Sequence, residues 1–426
     1  MRFTRLAKFG AMASIAALAL TGCGGSGSAA GPDADGNVTL RFSWWGSESR
    51  SAATQKIIDA FEAKNPGIKV QGEYGDWGGY WDKLATQVAS NDAPDVIQMD
   101  DKYLREYADR GALMDLEGID ISKFDEAAIA NGTTEEGLFG ITTGINAMVM
   151  TANPTLFKEA GLELPDDKTW TWDDYKEIAA TITEKTDAFG ASGPNEPAGF
   201  QFWLRQDGKS LTTAEGTLGY EPADAKAYFE MLKGLMDAKA IPTASGIAED
   251  QSPGPDRSLT GTGGAAMGMW WTNQLAALSG ASGEELVPLR MPGRSGQDGG
   301  SNTFYKSSMF MSATKASKHP EEVKKFIDFM VNSEEAGMLN LADRGLPSNL
   351  DVRAAVIDKL DGADARSAKF IADIEDEVGD AEPVPPRGFS GLQDILYRYG
   401  LEVFFGRLGP DEAAEKMFAE MQTEIG

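Results

Sequence analysis

The chain has 426 residues, with 39 Lys plus Arg against 66 Asp plus Glu and a formal charge of −27 at pH 7. That surplus of acid, with no basic cluster, argues against a nucleic-acid partner, because phosphate backbones are held by Lys and Arg. With 42% hydrophobic and 25% charged residues, the balance is that of a soluble globular protein, long enough for two or three domains at about 100 to 200 residues each. One Cys excludes a disulfide framework or a multi-cysteine zinc site, and one His excludes His-rich metal sites and catalytic histidine pairs. No metal or cofactor is expected.

Arg2, Arg5 and Lys8 precede the apolar run Phe9 to Leu20, the order of an export signal; about 12 apolar residues is too short to span a membrane. The ending Leu20-Thr21-Gly22-Cys23 resembles a bacterial lipobox. On that resemblance residues 1–22 are a removable signal peptide, and Cys23 carries a lipid that holds the chain at the outer face of the cytoplasmic membrane. Loss of the three basic residues takes the mature charge from −27 to −30. Residues 23–37 lack any large apolar side chain and read as a flexible linker with a reach of about 20 Å.

Val38, Leu40 and Phe42 alternate with polar residues as in a strand, and Ile57, Ile58 and Phe61 have helical spacing before Asn65-Pro66-Gly67 stops it. Ile68 to Gly72 predicts a second strand, Trp81 to Ser90 a helix, Asp95 to Met99 a third strand and Lys102 to Arg110 another helix. This alternation implies an α/β domain with a largely parallel sheet covered on both faces. Ile145 to Thr151 is a long apolar strand. Beyond it Thr171-Trp172-Asp173-Asp174 forms a capping box for a helix running to Thr186. Pro222 to Lys239 places Tyr228, Met231, Leu232 and Leu235 on one helical face. Short strands are predicted over Gly263 to Trp271, Glu285 to Met291 and Met309 to Ser312, then a helix carrying Val323, Phe326, Ile327 and Met330, and amphipathic helix from Leu392. No repeat of about 20 to 50 residues is present.

Catalytic motifs fail at defining positions. Gly208-Lys209-Ser210 has Trp203 where a phosphate loop needs its first Gly. Gly261 to Ala266 lacks the last Gly of a dinucleotide fingerprint, and Gly388-Phe389-Ser390-Gly391 continues with Leu392 where a nucleophile elbow needs Gly. His319 lies in a polar helix start and reads as surface. Glycoside hydrolysis needs only two carboxylates, so a glycoside-acting hydrolase stands as the enzyme alternative.

The nine Trp are informative by position. Trp44 and Trp45 end the first strand; Trp77, Tyr80 and Trp81 crowd the expected loop after the second; Trp203 starts a connecting segment; Trp270 and Trp271 end a later strand. Ligands of open α/β sheets bind at the carboxyl ends of strands, and an indole face stacks on the C–H face of a pyranose while amides and carboxylates bond its hydroxyls. Glu48, Asp76, Asp100, Asn146, Asn273 and Arg344 lie on or beside the same predicted loops. Trp170 and Trp172 fit a helix-entry staple and a place in the core.

Further motifs run the length of the mature chain: Phe42-Ser43-Trp44-Trp45-Gly46, Ala93-Pro94-Asp95-Val96-Ile97 with Gly111-Ala112-Leu113, and Leu138-Phe139-Gly140-Ile141. There follow Leu156-Phe157-Lys158-Glu159-Ala160-Gly161-Leu162 with Trp170-Thr171-Trp172-Asp173, Gly264-Ala265-Ala266-Met267, Ser317-Lys318-His319-Pro320-Glu321-Glu322 and Arg344-Gly345-Leu346-Pro347-Ser348-Asn349. In order and spacing the sequence resembles the extracellular solute-binding lipoproteins of bacterial ATP-driven (ABC) carbohydrate importers, the group that includes maltodextrin-binding proteins.

The resemblance implies a non-enzyme with a two-lobed, periplasmic-binding-protein-like α/β fold. Each lobe is a mostly parallel sheet flanked by helices, with a cleft between the lobes. Residues 38–145 plus 306–347 would form lobe 1, and 146–305 plus 348–426 lobe 2, joined by crossings near Asn146 to Thr151, near Lys306 to Ser312 and after Pro347. A monomer would take a mono- or oligosaccharide between the lobes, close on it and present it to the ABC permease. A non-sugar solute such as a phosphorylated polyol is the competing cargo. The implied ligand groups are Trp45, Glu48, Trp77, Tyr80, Asp100 and Arg344 from the first lobe, with Asn146, Trp203, Trp270, Trp271, Asn273 and Tyr305 from the hinge and second lobe. Thr272-Asn273-Gln274 leaves open whether Asn273 or Gln274 reaches the ligand.

Overall fold

The computed structural model describes residues 37–124, 126–193, 197–251, 254–294, 303–379 and 385–426. The expected signal peptide, Cys23 and all but the last residue of the linker lie outside them. Strands β1 (Val38–Trp45), β2 (Ile68–Gly75) and β3 (Val96–Met99) alternate with helices α1 (Glu48–Lys64), α2 (Trp77–Ala89) and α3 (Asp101–Asp109). Pairing of β1 with β2 and with β3 is parallel, as right-handed helical crossovers require. A small hairpin of β4 (Thr133–Thr134) and β5 (Gly137–Leu138) leads to β6 (Ile141–Thr142) and the long β7 (Gly144–Ala152). The remaining strands are β8 (Met267–Trp271), β9 (Val287–Leu289), β10 (Tyr305–Ser307), β11 (Phe310–Ala313) and β12 (Leu346–Pro347).

The first sheet has the order β2-β1-β3-β11-β6, and the second is centred on β7, which pairs with β10, β12, β8 and β9. The expectation of mostly parallel sheets holds for β1 to β3 only. Strand β11 is antiparallel to both neighbours, and every pairing of β7 is antiparallel. Connectivity explains this: β7 carries the chain out of the first sheet, whereas β10 runs back towards it. Strand β12 runs the same way as β10. Accordingly the segment after Pro347, expected in the second lobe, first lays the helix Leu350–Ile357 against the helix Glu334–Asn340 beside the first sheet.

Alternation along β1 sorts its side chains between two cores. Leu40, Phe42 and Trp44 pack with Ile58 and Phe61 of α1 and with Val323, Phe326 and Ile327 of the helix Pro320–Asn332. Trp45 turns the other way, to Tyr80, Trp81 and Leu84 of α2 and Leu104 and Tyr107 of α3. Strand β7 does the same in the second lobe. Met148 and Met150 join the large core of Phe157, Trp172, Tyr175, Phe200, Tyr228, Leu396 and Met417, while Ala147 and Val149 face Leu346, Phe370 and Ile371. The capping box at Thr171 and Asp174 forms as read from the sequence.

Three backbone passages between the sheets meet at one point. Thr143 N–H donates to the Met309 carbonyl (3.0 Å) and Ser308 N–H to the Gly144 carbonyl (2.8 Å), while the Ser308 hydroxyl donates to the Arg344 carbonyl. Side chains are excluded here. A Cβ on Gly144 would lie 2.5 Å from the Arg344 carbonyl oxygen, and Gly345, at φ +83°, would place one 2.9 Å from the Ile145 carbonyl oxygen.

Candidate ligand-binding cleft

The carboxyl ends of β1 and β3 carry an aromatic nest. Asp76 caps α2 by accepting the Gly79 N–H (2.8 Å), so Trp77, Tyr80 and Trp81 ride on the first turns of a helix and not on the expected loop. The Gly78-Gly79 pair hides this helix start, because two glycines in a first turn read as loop. The Trp45 ring centroid lies 5.0 Å from Trp77, 5.3 Å from Tyr80 and 5.4 Å from Trp81, and Trp81 stacks on Tyr103 of α3 at 3.7 Å. Tyr80 and Trp45 are buried, and the Tyr80 hydroxyl donates to the Gln98 carbonyl at 2.5 Å, so its polar end holds β3. Trp77 is half-buried, with the Lys102 ammonium 5.7 Å from its ring.

Beside the nest lies a charged centre in which Lys306 of β10 reaches across to the start of α3. Its ammonium is 3.1 Å from Asp100 Oδ2 and 2.9 Å from Asp101 Oδ1, and 5.8 Å from the Trp271 ring. Burial opposes the charge on Asp100, but Lys306, Asp101 and Lys102 outweigh it and hold that carboxyl down at about 2. Enclosure and the neighbouring Asp100 push Asp101 up, to about 7. Lys306 is raised: burial works against its charge, and the two carboxylates overcome it. The two enclosed carboxyls are thus pushed apart, Asp100 towards its charged form and Asp101 towards its neutral one.

Two amides complete the centre. Asn146 Nδ2 donates to Asn273 Oδ1 (2.9 Å), and Asn273 Nδ2 donates to the Asp343 carbonyl (3.3 Å). Gln274 instead accepts the Trp271 N–H (3.0 Å), so of the two neighbours it is Asn273 that stands beside Asn146. The lobes also touch at the rim, where Lys102 donates to Gln393 (2.8 Å) and Arg387 pairs with Asp109 (2.6 Å), linking α3 to the helix Phe389–Phe404 and the residues just before it.

The remaining sequence-named residues are placed elsewhere. Arg344 is 1% exposed and bonds Gln98, Asn340 and Thr54 through its three guanidinium nitrogens; burial, with Arg50 nearby, lowers it to about 9. Its position is that of a brace inside the first lobe. Tyr305 donates to the Ile371 carbonyl (2.7 Å) within the second lobe. Trp203 belongs to the helix Pro197–Arg205 and sits in the second-lobe core between Trp172 and Tyr228, capped by the Arg294 guanidinium at 4.0 Å. Trp270 turns to Leu275, Leu278 and Leu286, opposite to Trp271. Glu48 is exposed in the first turn of α1. Trp170 and Trp172 are core, and His319 occupies the N-cap position of the helix Pro320–Asn332 without a side-chain capping bond. The structure thus brings Trp45, Trp77, Tyr80 and Asp100 together, and Asn146 with Asn273 and Trp271. Lys306, Asp101 and Tyr103 are the members that sequence reasoning missed.

Two α/β lobes joined by strands that cross at one hinge define a periplasmic-binding-protein-like architecture. The chain belongs to the bacterial extracellular solute-binding proteins, whose family model matches residues 45–337. It is 25% identical over 419 residues to a lipoprotein of Streptomyces antibioticus named for the oleD 5' region, covering 90% of this chain and 88% of that one. With the diacetylchitobiose-binding protein DasA of Streptomyces coelicolor it shares 26% identity over 441 residues, 98% of this chain and 96% of the relative. Among solved structures, a periplasmic oligogalacturonide-binding protein from Yersinia enterocolitica, in complex with saturated digalacturonic acid, superposes with a TM-score of 0.79 at 22% identity. That match spans 92% of this chain and 100% of that one.

Proposed function

We propose that this protein captures a mono- or oligosaccharide outside the cell and, by closing its lobes, presents it to the permease of an ABC importer, without turning it over. The observation that carries the reading is the meeting at Lys306 of the first-lobe carboxylates Asp100 and Asp101 with the second-lobe ring of Trp271, beside the Asn146–Asn273 amides. A pyranose offers an apolar face for Trp77 and Trp271 and hydroxyls for the carboxylates and amides. Only contacts drawn from both lobes shift the equilibrium towards closure, and this centre is drawn from both. The diacetylchitobiose-binding relative supports a sugar cargo.

In this reading Trp77, Trp271, Asp100, Asn146 and Asn273 touch the sugar, with Glu48 at the rim. Trp45, Tyr80, Trp203, Trp270, Tyr305 and Arg344 hold the walls. Both lobes belong to one chain, so a monomer suffices, anchored through lipid on Cys23. The test is a panel of mono- and oligosaccharides added to the mature protein, read by tryptophan fluorescence and melting temperature, with chromatography of the recovered sugar. A shift with intact sugar is expected. Release of cleaved sugar would establish the hydrolase instead, and silence across the panel would end the reading. A Cys23→Ser chain is expected to leave the membrane fraction.

A further inference from the structure

The polar centre has a direction. Asn146 is 3% exposed, and its Oδ1 has no hydrogen-bond partner among the described residues. Its amide orientation is dictated by a backbone group. The Asp343 carbonyl can only accept, so the Asn273 atom 3.3 Å from it is Nδ2. Asn273 Oδ1 then faces Asn146, which must donate from its own Nδ2 at 2.9 Å. The atom left over, Asn146 Oδ1, is an acceptor by elimination.

Lys306, its cross-strand neighbour, does not satisfy it. Lys306 stands opposite Asn146 in the β10–β7 pairing, so their side chains leave the same face of the sheet. Its ammonium donates to Asp100 (3.1 Å) and to the Ser307 carbonyl (3.3 Å) and pairs with Asp101 at 2.9 Å, and it makes no bond to Asn146 Oδ1. A buried acceptor left without a donor is costly, and cargo that supplies one gains what water would otherwise provide.

From this we infer that the cleft selects a cargo presenting a hydrogen-bond donor at the hinge, the hydroxyl or ammonium of a neutral or amino sugar, and rejects sugars bearing a carboxylate or phosphate there. The inference rests on the sugar reading above. An anionic group at Asn146 Oδ1 would bring a second acceptor and a further negative charge beside Asp100 and Asp101, whose shared cation Lys306 is already held between them. Discrimination of this kind arises from the repulsion built against the wrong cargo as much as from contacts to the right one.

Calorimetry on the mature protein tests it with matched sets of neutral oligosaccharides, their amino-sugar and uronic-acid counterparts, and phosphorylated sugars and polyols. The expected result is a neutral or amino sugar that binds, with its anionic counterpart about 100-fold weaker or more. A uronate or phosphorylated sugar binding as tightly as its neutral counterpart overturns the donor assignment and leaves sugar capture standing. A panel with no sugar binder overturns sugar capture and this inference with it. With the best binder, Asn146→Ala is expected to weaken affinity about 10-fold or more, and unchanged affinity in a folded variant overturns the role of Asn146. Asn273→Ala frees the Asn146 amide to turn its nitrogen outward, so the preference for neutral over anionic sugar should shrink about 10-fold. A preference that survives intact in that variant equally overturns the assignment.

Discussion

Each lobe gathers tryptophans, and only the first-lobe group leaves a ring, that of Trp77, partly exposed among its members. In the first lobe Trp45, Trp77 and Trp81 meet Tyr80 and Tyr103 at the carboxyl ends of the strands, with Trp77 only half-buried and a Lys above it. In the second lobe Trp170, Trp172 and Trp203 sink into one core with Tyr175 and Tyr228. Residue type is the same. What differs is exposure: Trp77 keeps part of its ring accessible, whereas Trp203 is buried with its face closed by Arg294.

The contrast is broken or sharpened by substitution. Trp203→Ala should remove about 3–5 kcal/mol of stability through the cavity it leaves, read as a fall in denaturation midpoint, while the folded fraction keeps its affinity for cargo. An equal loss of affinity would place Trp203 in the cleft. Lys306→Met comes next, at about 3 kcal/mol, because two enclosed carboxylates lose their cation. Its deficit should grow with pH. Without Lys306 the native-state carboxyls sit above their unfolded value of about 4. The native state then holds more protons than the unfolded one as pH rises through that window, so stability falls. Urea midpoints at pH 5 and pH 8 check this, and a deficit larger at pH 5 would refute the ion cluster. Trp77→Ala should cost only about 1 kcal/mol of stability but about 10-fold in affinity, the inverse of Trp203. Asp76→Ala, which removes the cap of the helix carrying Trp77, should cost about 1 kcal/mol and weaken binding less than Trp77→Ala does.

How far the residues announce this structure varies with range. Alternation in Val38, Leu40 and Phe42 and the capping box at Thr171 depend on neighbours in the chain, and both were legible. The start of α2 is hidden in the sequence because Asp76 caps a turn whose Gly78 and Gly79 disfavour helix. Nothing near Lys306 in the chain signals its role, because its partner Asp100 is 206 residues away. An Asp100-Asp101 doublet closing an apolar strand was the available clue, since two adjacent enclosed acids call for a cation. Arg344, named from resemblance, proves to brace Gln98 and Thr54, a role that long-range packing decides. The family was legible all the same, because its motifs record the order of turns and strand ends, whichever indoles line the cleft.

The late strand β11 lies between β3 and β6 in the first sheet. A nascent chain therefore carries an open, unpaired sheet margin until more than 300 residues have been made, and cannot consolidate its amino-terminal half early. For a member of an extracellular family, that postponement leaves the amino-terminal half without its complete sheet until late in synthesis.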